Sequence, residues 1–287
     1  MGLDLHRIPP GIAPDLSHLP TRNTFLCPGG RKTTRVATSI LTSQLSELQQ
    51  LLWAHGQEKL LVVLQGIDAA GKGGVIKHVF WRTNPSGVKV TPFRVPSPSE
   101  KARDYLWRVH HHVPAKGEIG IFDRSHYEDV IAAKALGHIS DDQWHERFDH
   151  IQAFEKLLVD EGTTIVKIFL HISKEEQGVR LVKRLNNPKK HWKFKLSDLH
   201  TRHRWDEYQD LFTQTIVNTN SDHAPWYVVP ADLKWYRNWA VASIIVQTLE
   251  NMSLKWPELG DHDPDLLGAI ESGEIRRLPN GQLTLPE

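Results

Sequence analysis

The residues with the clearest chemical potential form a glycine-rich segment, Gly66-Ile67-Asp68-Ala69-Ala70-Gly71-Lys72-Gly73. The segment fits the pattern G-x-x-x-x-G-K and lies between a predicted strand and a predicted helix. Glycines let backbone N–H groups converge on phosphate oxygens, and a helix N-terminus adds partial positive charge. We therefore predict a phosphate-binding loop, against the alternative of a tight turn that only packs strand against helix. Its predicted phosphate-binding residues are Gly66, Ala69, Ala70, Gly71, Lys72 and Gly73.

Two positions in this loop bear on metal binding. Position 73 is glycine, where loops of this pattern carry a Ser or Thr hydroxyl that binds magnesium. Asp68 offers a carboxylate inside the loop instead, and Mg²⁺ prefers oxygen ligands. We predict Mg²⁺ as the cofactor and Asp68 as one of its ligands, with loop capping as the alternative role of Asp68.

A second group of polar residues follows the apolar segment 118–122, which predicts a buried strand. In open α/β sheets, ligands bind beyond the carboxyl ends of the strands, so Asp123 is expected near the phosphate loop as a second metal ligand. Arg124 is expected to stabilise charge on the transferred phosphoryl group. The alternative is an Asp123 that caps a helix beside a surface Arg124. Three side chains just beyond this point are predicted to bind the nucleotide: Tyr127, Glu128 and Asp129.

The segment 180–204 contains nine lysines and arginines and one acidic residue, Asp198. In a domain with a phosphate loop, such a segment predicts a mobile lid over polyanionic ligands, at about residues 180–205. A solvated basic surface is the alternative. Arg184 is predicted to reach the reacting phosphates, since its planar guanidinium can hold two oxygens at once. Lys189 and Lys193 are predicted to bind the polyanionic ligand.

The elements that must position these residues follow from the apolar pattern. Helical stretches alternate with five apolar segments that predict strands, at 59–65, 88–93, 118–122, 163–172 and 226–229. This alternation predicts an α/β fold in three layers (α/β/α), with a central parallel five-stranded sheet and a helical lid. A capping box at Ser97–Glu100 predicts a helix that runs to about Val113. We expect an extended N-terminal arm over 1–37, a phosphate-loop domain over 38–257 and a loosely ordered tail over 258–287.

Composition limits the classes of partner and compartment. Lys and Arg total 35 and Asp and Glu total 34, so the net charge of +1 provides no global field for nucleic-acid binding. No segment approaches the ~18 apolar residues of a membrane span. The single cysteine, Cys27, excludes an internal disulfide and fits a reducing compartment. We predict a cytoplasmic protein that binds neither nucleic acid nor membrane.

Taken together, these motifs resemble the family-2 polyphosphate kinases, phosphate-loop kinases that move phosphoryl groups between inorganic polyphosphate and nucleotides. The resemblance spans about residues 38–250 and rests on the order of the motifs. The matching segments are GIDAAGKGGVIKHV (66–79), NPSGVKV (84–90), RDYLWRVHHHVPAKGEIGIFDRSHYEDV (103–130), EGTTIVKIFLHISKEEQ (161–177), RLNNPKKHWKFKLSDL (184–199) and APWYVVPADLKWYRNW (224–239).

The resemblance implies roles for several side chains. Asp68 and Lys72 match the phosphate loop of the family, Asp123 and Arg124 match its second motif, and Arg184 matches the lid. Two further basic residues match positions on the polyphosphate path: Lys77 and Arg108. The form RSHYEDV is similar to the subclass that uses both nucleoside mono- and diphosphates, although relatives of that subclass can carry Asn where this chain has Asp123.

Three functions are therefore compatible with these residues. The first is Mg²⁺-dependent, reversible phosphoryl transfer from inorganic polyphosphate to AMP and to ADP. The second is an ATP-dependent nucleotide or nucleoside kinase of the thymidylate-kinase type, since Asp-Arg-Ser after a strand occurs there too. The third is a non-catalytic module that binds polyphosphate or nucleic acid. The sequence favours the first with adenine nucleotides, and it leaves guanine nucleotides, the preferred chain length and a homo-oligomeric state open.

Overall fold

Five parallel strands form the central sheet, in the spatial order β2-β3-β1-β4-β5. The computed structural model describes residues 6–258, Ser272 and two short strands near the C-terminus. The strands of the sheet are β1 (Lys59–Gln65), β2 (Val88–Pro92), β3 (Ile119–Asp123), β4 (Thr163–His171) and β5 (Trp226–Pro230). Nearly every residue of β1 and β4 is buried, as expected of parallel strands that are covered on both faces.

Two groups of helices cover the sheet. Helix α10 packs on both α1 and α2, and α5, α6 and α9 pack on one another. The helices are α1 (Arg31–His55), α2 (Lys72–Val79), α3 (Pro98–Lys101), α4 (Trp107–His110), α5 (Glu128–Ala135), α6 (Asp141–Asp160), α7 (Lys174–Leu185), α8 (Leu196–His203), α9 (Trp205–Thr219) and α10 (Lys234–Glu250). The predicted three-layer α/β fold with a five-stranded parallel sheet is confirmed.

The segment predicted as an extended arm departs from that expectation at its C-terminal end. Helix α1 begins at Arg31 and not near Thr38, because residues 31–37 contain no Pro or Gly and continue the helix without an apolar pattern. Ahead of it, the chain pairs antiparallel with the edge of β5. The Val228 N–H donates to the His6 carbonyl at 2.9 Å, and the Ile8 N–H donates to the Trp226 carbonyl at 2.9 Å. This pairing covers the edge of the sheet.

The helix predicted from Ser97 to about Val113 is wrong. The capping box at Ser97 and Glu100 is present, but α3 ends after one turn. The carboxylate of Asp104 accepts hydrogen bonds from the N–H groups of Leu106 at 3.0 Å and Trp107 at 2.9 Å. Asp104 thereby starts a separate turn, α4, because its side chain competes with a continuous helix for the backbone.

The chain divides into two compact units, Met1–Lys255 and Trp256–Glu287. In the second unit, β6 (Arg276–Arg277) pairs antiparallel with β7 (Leu283–Thr284). Most of the predicted tail, 258–287, lies outside the described residues. In the part of the chain that the structure describes, no helix combines the length and the apolar character needed to cross a membrane.

Candidate active site

The two predicted motifs begin side by side because β1 and β3 are neighbours in the sheet. Leu64 of β1 is the register partner of Asp123 at the end of β3. The Arg124 N–H donates to the Leu64 carbonyl at 3.0 Å, which ties the two strand ends together. The loop after β1 and the residues after β3 therefore share one edge of the sheet, where ligands of open α/β sheets bind.

The phosphate loop needs glycine at two positions. Gly66 has φ +148° and Gly71 has φ +111°, both in a region that L side chains rarely adopt. A Cβ at Gly66 would lie 2.9 Å from the Leu170 carbonyl oxygen, and a Cβ at Gly71 would lie 2.0 Å from Nη1 of Arg237. Glycine at these positions therefore serves both the loop conformation and the close approach of its neighbours.

Lys72 begins α2 and points back along the loop. Its ammonium donates to the Gly66 carbonyl at 2.6 Å, and the residue is 8% exposed. Burial, followed by the charge of Arg124, lowers the pKa of Lys72, while Asp68 and Asp123 oppose this effect. A buried cation in this position favours an anion in the loop, since a bound phosphate would offset the unfavourable burial of the charge.

Arg124 joins the two motifs by ion pairs. Its guanidinium donates to Oδ1 of Asp68 and approaches Oε2 of Glu128 at 3.4 Å. The carboxylate of Glu128 is the largest influence on Arg124 and raises its pKa, and burial raises the pKa of Glu128. Arg124 also has φ +63°, a left-handed conformation that is uncommon outside glycine. The structure thus brings the predicted residues Asp68, Asp123 and Arg124 together.

The donor set fits a magnesium ion that is shared with substrate. No group of three or more His, Cys, Asp or Glu side chains is arranged to hold a metal among the described residues. Mg²⁺ is commonly bound by one or two carboxylates together with substrate phosphates and water. Asp68 has one carboxylate oxygen bonded to Arg124, and the Asp123 carboxylate forms no hydrogen bond with the described residues. These two carboxylates therefore suit such an ion.

The predicted lid consists of the end of α7, a 3₁₀ helix (Pro188–Lys193) and α8. Arg184 donates to Oδ2 of Asp198 at 3.1 Å and to the Lys193 carbonyl at 3.2 Å. Asp198 is buried, and burial, followed by the charge of Asp68, raises its pKa. Arg184 is therefore held within the lid by Asp198, and the charge of Asp68 in the phosphate loop affects the pKa of that carboxylate.

The sequence matches the family model Polyphosphate kinase 2 (PPK2) over residues 30–257. The chain belongs to the polyphosphate kinase 2 family. An AMP/ADP-polyphosphate phosphotransferase of Meiothermus ruber is 49% identical over 253 residues, which cover 88% of this chain and 95% of the relative. An ADP-polyphosphate phosphotransferase of Rhodopseudomonas palustris is 40% identical and covers 75% of this chain and 78% of its own length.

A solved structure gives the same result. The crystal structure of polyphosphate kinase 2 from Arthrobacter aurescens TC1 superposes with a TM-score of 0.90 at 37% identity, covering 95% of this chain and 97% of that chain. The family expected from the sequence motifs is thus confirmed, and so is the class of enzyme, a polyphosphate kinase. Each residue role within the site stays a prediction.

The remaining predicted residues of this polyphosphate kinase occupy different environments. Arg108 is buried and donates to Oδ2 of Asp129 at 3.0 Å and to the Arg94 carbonyl at 2.8 Å. These two predicted residues line a cavity of about 270 Å³ with several other charged side chains: Glu100, Lys101, Arg103, Asp104 and Arg147. Lys77, Lys189 and Lys193 are exposed, and within the described residues none of the three forms an ion pair.

Tyr127 does not have the environment that a nucleotide-binding side chain needs. It is 0% exposed, and its hydroxyl donates to Oε1 of Glu155 at 2.6 Å. The buried ammonium of Lys167 donates to the Tyr127 hydroxyl at 3.1 Å and to Glu155 at 2.6 Å. The expectation that Tyr127 contacts the acceptor is therefore corrected: its side chain anchors the segment after β3 to the core.

Sequence reasoning also missed two residues behind the loop. Arg180, which was counted with the lid, is buried and donates to the carbonyls of Ala69 at 3.0 Å and Ala70 at 2.6 Å. Arg237, from the first turn of α10, lies against Gly71. A lysine within an apolar strand, such as Lys167 in TIVKIFLHI, can be recognised in the sequence as a buried charge that needs polar partners. Arg180 and Arg237 give no such local signal.

Proposed function

We propose that this polyphosphate kinase transfers phosphoryl groups from inorganic polyphosphate to AMP and to ADP, reversibly and with Mg²⁺. The observation that carries the proposal is the cluster of Lys72, Asp68, Asp123 and Arg124 at one edge of the sheet. It combines a phosphate-binding loop with carboxylates that suit magnesium. The similarity to the AMP/ADP-polyphosphate phosphotransferase of Meiothermus ruber supports AMP and ADP as acceptors.

In this proposal the loop and the adjacent carboxylates bind the reacting end of the chain. The loop amides and Lys72 hold the oxygens of the transferred phosphoryl group, and Asp68 and Asp123 hold Mg²⁺. When bound, Mg²⁺ neutralises negative charge on the phosphate oxygens. The acceptor phosphate is already ionised, so positioning and charge stabilisation supply the catalysis and a general base is not required.

Arg124 changes partner in this scheme. In the free protein it is paired with Asp68 and Glu128. Asp68 would be one of the residues that hold Mg²⁺, and Arg124, which lies beside it, would then be free to donate to an oxygen of the phosphoryl group. A guanidinium that is already held within the site needs little reorganisation to stabilise charge in the transition state.

The other predicted residues are proposed to hold the substrates. Arg184 approaches the phosphates when the lid closes, and the remaining basic residues line the path of the chain: Lys77, Arg108, Lys189 and Lys193. Glu128 and Asp129 are proposed to contact the nucleotide. The GDP-polyphosphate phosphotransferase of Mycobacterium tuberculosis, 30% identical to this chain, keeps guanine nucleotides open as acceptors. The cytoplasmic location, the exclusion of nucleic acid and the oligomeric state stay predictions.

The test supplies polyphosphate as the sole phosphoryl donor to AMP or to ADP, with Mg²⁺, and follows the nucleotides by chromatography. We expect ADP and then ATP from AMP, loss of turnover with EDTA, and recovery with excess Mg²⁺. ADP without ATP after long incubation would contradict the second acceptor. Product that appears only with ATP as donor would support a thymidylate-kinase-type enzyme. Salt-sensitive binding without turnover would support a binding module.

A further inference from the structure

Arg237 is a buried guanidinium behind the phosphate loop. The residue is 2% exposed, and its side chain lies so close to the loop that a Cβ would be 2.0 Å from Nη1 at Gly71 and 2.9 Å from Nη2 at Gly74. Its Nη1 lies 3.5 Å from the Ala70 carbonyl oxygen. The loop and the start of α2 are thus built around this side chain.

The charge of Arg237 has no counter-ion in the described part of the chain. Its shorter hydrogen bonds go to the neutral amide of Asn238, at 3.1 Å from Nε and 2.8 Å from Nη2. Burial, followed by the like charge of Arg180, lowers the pKa of Arg237 to about 9, and no carboxylate of the described residues opposes this effect. A buried charge without a partner is unfavourable in the free protein.

The neighbouring Arg180 provides a contrast. It is paired with Glu176 at 2.8 Å, and its guanidinium donates to four backbone carbonyls, those of Ala69, Ala70, Ala231 and Asp232. The charge and the hydrogen-bond donors of Arg180 therefore have partners without a ligand. Its side chain links α7 to the loop and to the residues after β5. Arg237 has the same charge and comparable burial, but among the residues that the structure describes it has no carboxylate partner.

We propose that Arg237 is a positioning residue of the phosphate loop and that the bound polyphosphate is its counter-ion. The inference rests on the proposed function. Arg237 acts through the loop: it holds Gly71 and Gly74 in place and adds positive potential from behind the backbone, without touching substrate. Its charge is unfavourable in the free protein and favourable in the complex, so it increases the stabilisation that polyphosphate gives.

The experiment compares wild type, Arg237→Met, Arg237→Lys and the control Arg7→Met. Arg7 lies in the N-terminal segment that pairs with β5, and it forms an ion pair with the exposed Asp222 at 3.0 Å. Arg7→Met therefore makes the same change in net charge as Arg237→Met, but outside the phosphate loop. The unfolding temperature of each protein is measured with and without long-chain polyphosphate and Mg²⁺. The KM for polyphosphate and kcat are then measured with ADP as acceptor.

For Arg237→Met we expect an unfolding temperature without ligand that is no lower than that of wild type. We expect the increase in unfolding temperature with polyphosphate to fall by more than half. The KM for polyphosphate should rise ~10-fold, equivalent to ~1.4 kcal/mol, while kcat changes less than about threefold. Arg237→Lys should retain most of the increase, because the charge remains. Arg7→Met should match wild type.

Three results would overturn the inference. The first is an Arg237→Met variant with wild-type KM and a wild-type thermal increase. The second is an Arg237→Lys variant as impaired as Arg237→Met. The third is an Arg237→Met variant that fails to fold, since the inference makes the buried charge unfavourable in the free protein. If wild type itself neither turns over nor gains stability with polyphosphate, the proposed function fails and the inference falls with it.

Discussion

The phosphate loop and the lid both present cations to a polyanion, but they hold those cations differently. Around the loop, Lys72, Arg180 and Arg237 are buried and bonded to backbone or side-chain oxygens. On the lid, Lys189 and Lys193 are exposed and form no ion pair with the described residues. The loop is organised before the ligand arrives, whereas the exposed lid cations depend on the ligand for a partner.

This difference predicts that the loop cations mainly affect the rate of the chemical step and the exposed lid cations mainly affect binding of polyphosphate. Preorganised charges in a dry site stabilise the transition state because they need no reorganisation during the reaction. Exposed charges are screened by salt over a Debye length of ~8 Å at physiological ionic strength, so they mainly affect encounter and affinity. Arg184 is intermediate, because it is partly buried and paired with Asp198. The expected loss of activity on substitution therefore decreases from Lys72 through Asp68 and Arg184 to Lys189 and Lys193.

Lys72→Ala should lower kcat/KM for polyphosphate by ~10³-fold, since it removes the buried cation of the loop. The folded state should persist, because the substitution removes an unfavourable buried charge along with one hydrogen bond to Gly66. Steady-state kinetics and thermal unfolding together provide the check. A loss below tenfold in a folded variant would remove Lys72 from the chemical step.

Asp68→Asn should lower kcat by ~10²-fold and raise the Mg²⁺ concentration needed for half-maximal rate. The amide keeps one oxygen but loses the charge that attracts the cation and that pairs with Arg124. The measurement is a Mg²⁺ titration of the initial rate in both proteins. Unchanged half-saturation by Mg²⁺ would show that Asp68 is not a metal ligand.

Arg184→Lys should lower kcat by ~10-fold to 10²-fold, or ~1–3 kcal/mol, although the charge is retained. Lysine cannot reproduce the planar fork that lets one guanidinium hold two phosphate oxygens. Single-turnover rates at saturating polyphosphate separate this effect from binding. Wild-type rates in this variant would make the lid a general basic surface.

Lys189→Ala and Lys193→Ala should each raise the KM for polyphosphate by only ~2–5-fold and leave kcat nearly unchanged, as expected of exposed charges. Their effect should shrink as salt rises, because screening weakens the wild-type interaction too. Kinetics at two ionic strengths test both points. A salt-independent loss of kcat in either variant would place that lysine with the catalytic residues.

The sequence was most informative where function depends on neighbours in the chain. The loop from Gly66 to Gly73 was predictable because its pattern, its strand and its helix are contiguous. Its place beside Asp123 was predictable because parallel strands end at one edge of a sheet. The family was predictable too, because the resemblance rests on several motifs that are each contiguous in the sequence, and the match to the family model confirms it.

Features that depend on distant packing were not predictable. Tyr127 lies between the site residues Arg124 and Glu128 in the sequence, yet its hydroxyl is buried against Glu155. Arg180 belongs by position to a basic segment, but its side chain turns toward the loop. Arg237 lies 166 positions after Gly71 in the sequence, and only the packing of α10 on α2 brings the two together. No local pattern encodes such contacts.

The most direct test of the contrast between loop and lid is amide hydrogen exchange of the wild-type protein, with and without polyphosphate and Mg²⁺. The account predicts that the loop amides that already donate to backbone carbonyls, those of Ala70, Gly74 and Val75, are protected in the free protein and change little. It predicts that residues 186–204 exchange at least ~10-fold more slowly once polyphosphate is bound. Equal protection of the lid in both states, or amides of Ala70, Gly74 and Val75 that become protected only with ligand, would contradict it.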